Sequence, residues 1–233
     1  NITIRGGTFQ QVLIILDGVR LNDPLTGHFN SYFPISPAEI EQIEILKGAS
    51  SAIYGTEAVG GVVRIITKSF AAKQMQAGSK LTAQVTSGAF GLRNAQAGFV
   101  WSNQRTMVAG GIMQNVADGQ PLRGSRGFFN LTTASVSVKQ QLSQSSAIAY
   151  RFAYDDRNFN AQNFYTQLLS DTATEQVITR WHQATYTLQR KKHRLTVDAA
   201  YKEVSDKFQL RKSAPANTNY STMAQVVVTD QYQ

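Results

Sequence analysis

From Lys80 onward, apolar and polar side chains alternate with period two through one run after another, and no other feature restricts the fold as strongly. In SAIAYRFAYDD, Ile148, Tyr150, Phe152 and Tyr154 share one face, and Ala147, Ala149, Arg151 and Ala153 share the other. In HRLTVDAAYK, Leu195, Val197, Ala199 and Tyr201 oppose Thr196, Asp198, Ala200 and Lys202; in NAQAGFVWS, Ala95, Ala97, Phe99 and Trp101 oppose Asn94, Gln96 and Gly98. Such strands suit an antiparallel sheet with one wet face. Turn-forming clusters separate them at 88–91, 102–104, 119–127, 141–146 and 189–192, whereas the interval 158–174 is long. Short turns alternating with long loops, between strands of about 10 residues, are the pattern of a transmembrane β-barrel. No stretch reaches the roughly 20 consecutive apolar residues of a membrane-crossing helix. Trp101, Tyr154, Phe159, Phe164, Tyr165, Trp181, Phe208 and Tyr220 lie near strand ends, where two interfacial girdles would put them; an ordinary β-sandwich core is the alternative.

The first 70 residues read differently. NITIRGG opens strand-like, and QQVLIILDGVRL carries an apolar run, Val12 to Leu16, that turns through Asp17-Gly18 into Val19 and Leu21, as a buried hairpin does. Asn22, Asp23, Pro24 and Gly27 mark the following segment as a loop. Ser36-Pro37-Ala38-Glu39 supplies an N-cap, a proline at the first helical position and a glutamate three residues after the cap, which predicts a one- or two-turn helix. QIEILKG then reads as a strand ending at Gly48, residues 49–54 as a second short helix closed by Gly55, and VVRIITK as a strand rich in β-branched residues. The domain boundary is placed at 70/71.

Composition excludes several classes. Of 233 residues 42% are hydrophobic, enough for a sizeable core, and the absence of cysteine rules out thiolate metal sites and disulfides. The net charge of +8 is scattered; the one dense cluster, Arg190 to Arg194, lies between two strand-like runs and reads as a solvated turn, so no nucleic-acid partner is expected. His28, His182 and His193 are far apart, with no H-E-x-x-H and no G-x-S-x-G, and Asp155-Asp156 reads as a solvated acid pair at a strand end. Neither an enzyme nor a cofactor or metal site is expected.

IRGG at 4–7, VLIILDGVRLND at 12–23 and IEQIEILKGASSAIYGTEAVGGVVRIITK at 40–68, followed at once by alternating strands, resemble the plug domain of TonB-dependent outer-membrane receptors. The wording is most similar to the cobalamin-transporter branch, although NVADGQPLRGSRG has a single acid, Asp118, where enterobacterial cobalamin receptors carry acid-rich calcium loops. The resemblance implies a mixed α/β plug (1–70, the C-terminal part of that domain) followed by antiparallel transmembrane β-barrel strands (71–233), an incomplete fragment of a large plugged barrel of about 22 strands. Residues 80–233 leave room for some eight or nine strands of about 10 residues each.

By the same resemblance the expected function is import of a scarce nutrient (siderophore-iron, cobalamin or similar) across the outer membrane of a Gram-negative bacterium, by energised movement of the plug. The implied partners are outer-membrane lipid, the small nutrient ligand, and the TonB complex through a segment absent from this chain. A non-transporting adhesin, scaffold or signalling receptor is the alternative. Asn22, Asp23, Thr26, His28, Asn30 and Tyr32, in the loop near the plug's outer apex, are expected to touch substrate. Arg5, Gly6, Asp17, Gly18, Gly48, Gly55, Gly60, Gly61 and Arg64 are expected to serve the plug's structure, the two arginines by pairing with barrel-wall carboxylates. Gly55 and Gly60 have the glycine spacing of a phosphate loop, but Gly61 stands where its lysine belongs, so the glycines are assigned to sharp turning of the chain.

Overall fold

The computed structural model describes residues 2–22, 32–48, 54–55, 58–72, 75–165, 168 and 172–232. Two sheets dominate. The smaller has the strand order β2-β1-β4-β3, formed by β1 (Val12–Leu16), β2 (Val19–Arg20), β3 (Ile40–Lys47) and β4 (Gly61–Thr67). β1 pairs parallel with β4 and antiparallel with β2, through a turn in which Asp17 and Gly18 have φ of 47° and 92°. Positive φ at both central residues is what a two-residue hairpin of matching twist demands, and Asp-Gly accepts it readily.

All five β1 side chains are buried, because the strand is central and covered on both faces. Val12, Ile14 and Leu16 pack with Ile65 and with Ala153, Trp181 and Ala200 of the larger sheet; Leu13 and Ile15 pack with Ala58 and Val62 inside the small domain. Ser36 caps a single 3-10 turn, Pro37–Glu39, with the reciprocal Glu39 bond in place, so the expected helix is shorter than its capping signature implied. The strand follows because Ile43 and Ile45 alternate with Glu44 and Leu46 from there on. The opening residues are a turn instead of a strand: Arg5 and Gly6 have φ of 52° and 74°, and Gly7 N–H donates to Ile4 O at 3.1 Å. The second short helix, 49–54, falls mostly outside the described residues.

The larger sheet is an open antiparallel meander of eight strands. In spatial order they are β14 (Asn217–Tyr232), β13 (His193–Gln209), β12 (Thr174–Arg190), β11 (Ser146–Asn160), β10 (Phe129–Gln141), β7 (Thr106–Ala117), β6 (Arg93–Ser102) and β5 (Gly78–Ser87). A small hairpin, β8 (Pro121–Leu122) with β9 (Ser125–Arg126), interrupts the run between β7 and β10. The expected alternation is realised. Ala147, Arg151, Ala153, Asp155, Arg157 and Phe159 of β11 are buried toward the small domain, while Ile148 and Tyr150 are exposed on the outside. The outer face carries Leu81, Val85, Phe99, Trp101, Ile112, Val136, Val138, Tyr201, Val226 and Val228, all exposed, in an apolar band with His182 of β12 set among them. Connections at one end are short (103–105, 142–145, 191–192); those at the other end are longer (118–128, 161–173, 210–216). The cluster at 190–194 is the turn expected of it.

Several aromatic assignments change. Trp181, Phe159 and Phe208 belong to the inward face; Trp181 is completely buried against β1 and β4 and Phe159 meets Tyr32, so they are no part of an interfacial girdle. Asp155 and Asp156 sit within β11 on opposite faces, so the solvated acid pair is likewise corrected. Close approach of the two sheets relies on wall glycines: a Cβ on Gly111 would stand 2.7 Å from Ser36 Cβ, and one on Gly98 would stand 2.5 Å from Ala38 Cβ. Only hydrogen at these two positions lets the capped turn lie flat on β6 and β7.

Candidate functional site

Two polar constellations join the small domain to the wall. The lower is built around the Asp17-Gly18 turn. Asp17 Oδ1 accepts from Thr67 N–H at 2.8 Å and Oδ2 from the Thr67 hydroxyl at 2.6 Å, which ties the end of β1 to the end of β4. Arg151 of β11 reaches in from the wall. Its Nη1 donates to Glu39 Oε2 at 2.8 Å, and its Nη2 donates to Thr67 Oγ1 at 2.8 Å and Ser69 Oγ at 3.1 Å, lying 3.6 Å from Asp17 Oδ2. Glu39 also accepts from the Ser135 hydroxyl and from Ser36 N–H. All three charged groups are buried, so one guanidinium faces two carboxylates in a medium that screens them poorly. Burial pushes the Asp17 carboxyl above the usual carboxylate range, against the pull of Arg151 and Thr67, and Glu39 adds to the rise.

This reverses the expected polarity of attachment. Arg64 pairs with Glu44 on the neighbouring strand β3, Nη1 to Oε2 at 2.6 Å, because the β3–β4 register sets those residues opposite one another. Arg5 is exposed and lies near Gly48. The guanidinium that bridges the domains is the wall's, and the carboxylates are the plug's. Gly6, Gly18, Gly48, Gly55 and Gly61 all have positive φ, whereas Gly60 packs closely on Gln11 O.

Further wall side chains donate to backbone carbonyls of the small domain. Gln183 Nε2 meets Asp17 O at 3.0 Å, Lys202 Nζ meets Leu21 O at 2.9 Å, Gln225 Nε2 meets Arg20 O at 2.6 Å, and Lys139 Nζ meets Ala72 O at 2.5 Å. Sequence reading passed over Arg151, Gln183 and Lys202 as members of a hydrated face. The available signal was a long polar side chain among alanines, as in Ala149-x-Arg151-x-Ala153, where an inward strand face leaves room for a partner.

The upper constellation lies toward the long loops. Tyr32 is half-buried; its ring meets Phe159 edge-on at 6.1 Å, and the Arg157 guanidinium stacks 4.2 Å from its centroid. Arg157 is held by Asp155, itself hydrogen-bonded by Thr133, and its Nη2 reaches Phe33 O at 3.4 Å. The ring series continues through Phe164, Tyr165 and Phe208 at centroid distances of 5.1–6.3 Å, and the Tyr165 hydroxyl donates to Glu175 Oε1 at 2.9 Å. Burial raises both the Tyr32 and the Tyr165 phenols, so both stay protonated donors across the physiological range. Phe164 and Tyr165 remain about half exposed, leaving an open aromatic arc above a fixed cation. Such a surface offers ring faces for stacking on planar or ring-bearing ligands.

Of the six residues expected to touch substrate, Tyr32 belongs to this arc. Asn22 is buried below it, with its amide committed to β1: Oδ1 accepts from Ile14 N–H at 2.7 Å and Nδ2 donates to Val12 O at 2.9 Å. Its polar groups are used by the fold. Asp23, Thr26, His28 and Asn30 lie outside the described residues. Arg157 and the loop aromatics were not singled out as ligand contacts from the sequence.

Comparison with known proteins agrees with this arrangement. Residues 1–62 match the family model of the TonB-dependent receptor plug domain. The chain is 26% identical over 182 residues to the vitamin B12 transporter BtuB of Vibrio vulnificus, an alignment covering 78% of this chain and 25% of that protein. A crystal structure of the siderophore receptor PirA from Acinetobacter baumannii superposes with a TM-score of 0.65 at 16% identity, over 98% of this chain and 38% of the other. A mutant of the ferric enterobactin receptor PfeA from Pseudomonas aeruginosa gives 0.67 at 15% identity, over 99% and 39%. The chain thus spans about a quarter of the curated relative and about two-fifths of these structures.

Proposed function

Since this chain carries the plug domain and wall strands of a TonB-dependent receptor, we propose that it serves energised import of a scarce, ring-bearing nutrient across a Gram-negative outer membrane. The aromatic arc around Tyr32 and Arg157 receives the nutrient, together with Asp23, Thr26, His28 and Asn30 of the same plug loop. The TonB complex then draws the plug away from the wall. The observation that carries this reading is the character of the junction. Apart from Trp181, Phe159 and Met223, its wall contribution is mostly small residues and hydrogen-bond donors, so water can replace many of the polar contacts as the plug shifts. Siderophore-iron and cobalamin are the nutrient classes drawn from the relatives; an adhesin, scaffold or signalling receptor would need no such donor-rich junction.

In the full-length receptor, Tyr32→Ala removes one aromatic face and is expected to weaken nutrient binding by about 2- to 12-fold, equivalent to roughly 0.5–1.5 kcal/mol. Titration of the purified receptor with a panel of ferric siderophores and with cobalamin measures this; undiminished affinity for whichever ligand binds would remove the arc from the pathway. The apolar outer band implies embedding in lipid, short turns toward the periplasm. Phe152→Arg, near the middle of that band, should then cost about 2–4 kcal/mol, read as lower stability in lipid vesicles. A cost near zero would argue for a water-exposed outer face.

A further inference from the structure

The β8–β9 hairpin is tied by hydrogen bonds to the end of β11 and to described residues of the loop that follows it. Asn160 Nδ2 donates to Ser125 Oγ at 3.0 Å, Gln162 Nε2 to Arg123 O at 2.8 Å, and Arg123 Nη2 to Leu168 O at 3.1 Å. The hairpin and the β13–β14 loop enclose a groove of about 860 Å³, with Phe128 and Leu122 among its lining residues and Arg126, Arg211 and Lys212 as its charges. No carboxylate lines it among the described residues. Its strand positions, Asn160 and Thr174, alternate with the inward Phe159 and Glu175, so the groove opens away from the plug and from the aromatic arc.

Height narrows the partner. Asn160 stands six residues beyond Tyr154, the last aromatic of the outer band on β11. At about 3.3 Å per residue and a tilt near 40° that is roughly 15 Å above the band. A phospholipid headgroup layer is only about 5–8 Å deep, so its phosphates stop short. A glycolipid with phosphorylated sugars extending from the bilayer reaches the groove, and the apolar Phe128 and Leu122 offer surface for the C–H faces of its sugar rings.

We propose that this groove binds the phosphorylated sugar portion of an outer-leaflet glycolipid and so fixes the hairpin and the neighbouring loops at the membrane surface. The proposal rests on the outer-membrane placement above and is independent of nutrient identity. The test uses the purified full-length receptor and its Arg126→Gln/Arg211→Gln/Lys212→Gln variant, with heat-modifiable migration as the check of barrel folding. Binding is measured to vesicles of lipopolysaccharide, to the same material after phosphatase treatment, and to phosphatidylglycerol vesicles.

The wild type should prefer the phosphorylated lipopolysaccharide, and the variant should bind it roughly tenfold more weakly. The two should be alike on phosphatidylglycerol and in nutrient affinity. If the variant does not fold, the single changes Arg126→Gln and Lys212→Gln and release of the wild type by high salt supply the same comparison, and failure of salt to release it counts against the proposal. Equal binding of lipopolysaccharide by wild type and variant overturns it, as does a loss confined to an anionic nutrient, which would make the groove an entry site for soluble anions. A wild type that binds no nutrient but still prefers phosphorylated lipopolysaccharide would refute the import reading and leave the groove standing.

Discussion

Replacing Arg151 with methionine is expected to loosen the plug from the wall by about 3–5 kcal/mol at neutral pH, the usual cost of leaving buried charge without its partner. Asp17 and Glu39 would then face each other across Thr67 and Ser69 with no guanidinium between them. The loss should depend on pH. Asp17 titrates above the unfolded carboxylate value even with Arg151 present, so between those two values the native state binds more protons than the unfolded state. Stability on this account falls as pH rises through the native value and is regained as pH drops toward the unfolded one. Removing Arg151 takes away an influence that lowers Asp17, which widens the window. Urea unfolding of the full-length variant at pH 5 and pH 8 should show the smaller penalty at pH 5, and the additional changes Asp17→Asn and Glu39→Gln should recover much of the loss. A penalty equal at both pH values would mean that Arg151 acts by packing alone.

Trp181→Ala should cost a similar amount, about 3–5 kcal/mol, through the cavity left where the indole is fully enclosed. Its neighbours in the cluster from the wall, Ala153 and Ala200, are too small to fill the space. The damage should be local. Hydrogen exchange in β1 and β4 should quicken while amides of β5 to β7 keep their protection, since those strands do not contribute to the cluster around Trp181. Uniform loss of protection, or a cost under about 1 kcal/mol, would show that the indole does not anchor the plug.

The strands and turns were legible in the sequence because each is a local pattern: period two in β11 and β13, Asp17-Gly18 in the hairpin, Ser36 to Glu39 in the cap. What joins the two sheets was not, because it depends on which face of a strand turns inward and on partners distant in the chain. Alternation in VITRWHQATY puts Trp181 on the same face as Thr179 and Gln183 without saying which side that face meets. Arg64 has an acid opposite it only through the β3–β4 register, and Arg151 finds Glu39 only once β11 stands beside the capped turn. At Tyr32 the sequence offered a stacking ring, and the structure sets that ring against Phe159 and Arg157. At Asn22 the same polar composition served an edge of β1, a use that a donor-and-acceptor inventory does not separate from ligand contact.

Gln183, Lys202, Gln225 and Lys139 all grasp main-chain oxygens. Every residue type offers the same carbonyl, so the grip is blind to which side chains the inner domain displays. The inner domain's exposed side chains are therefore free to change while this part of the fastening stays unaltered.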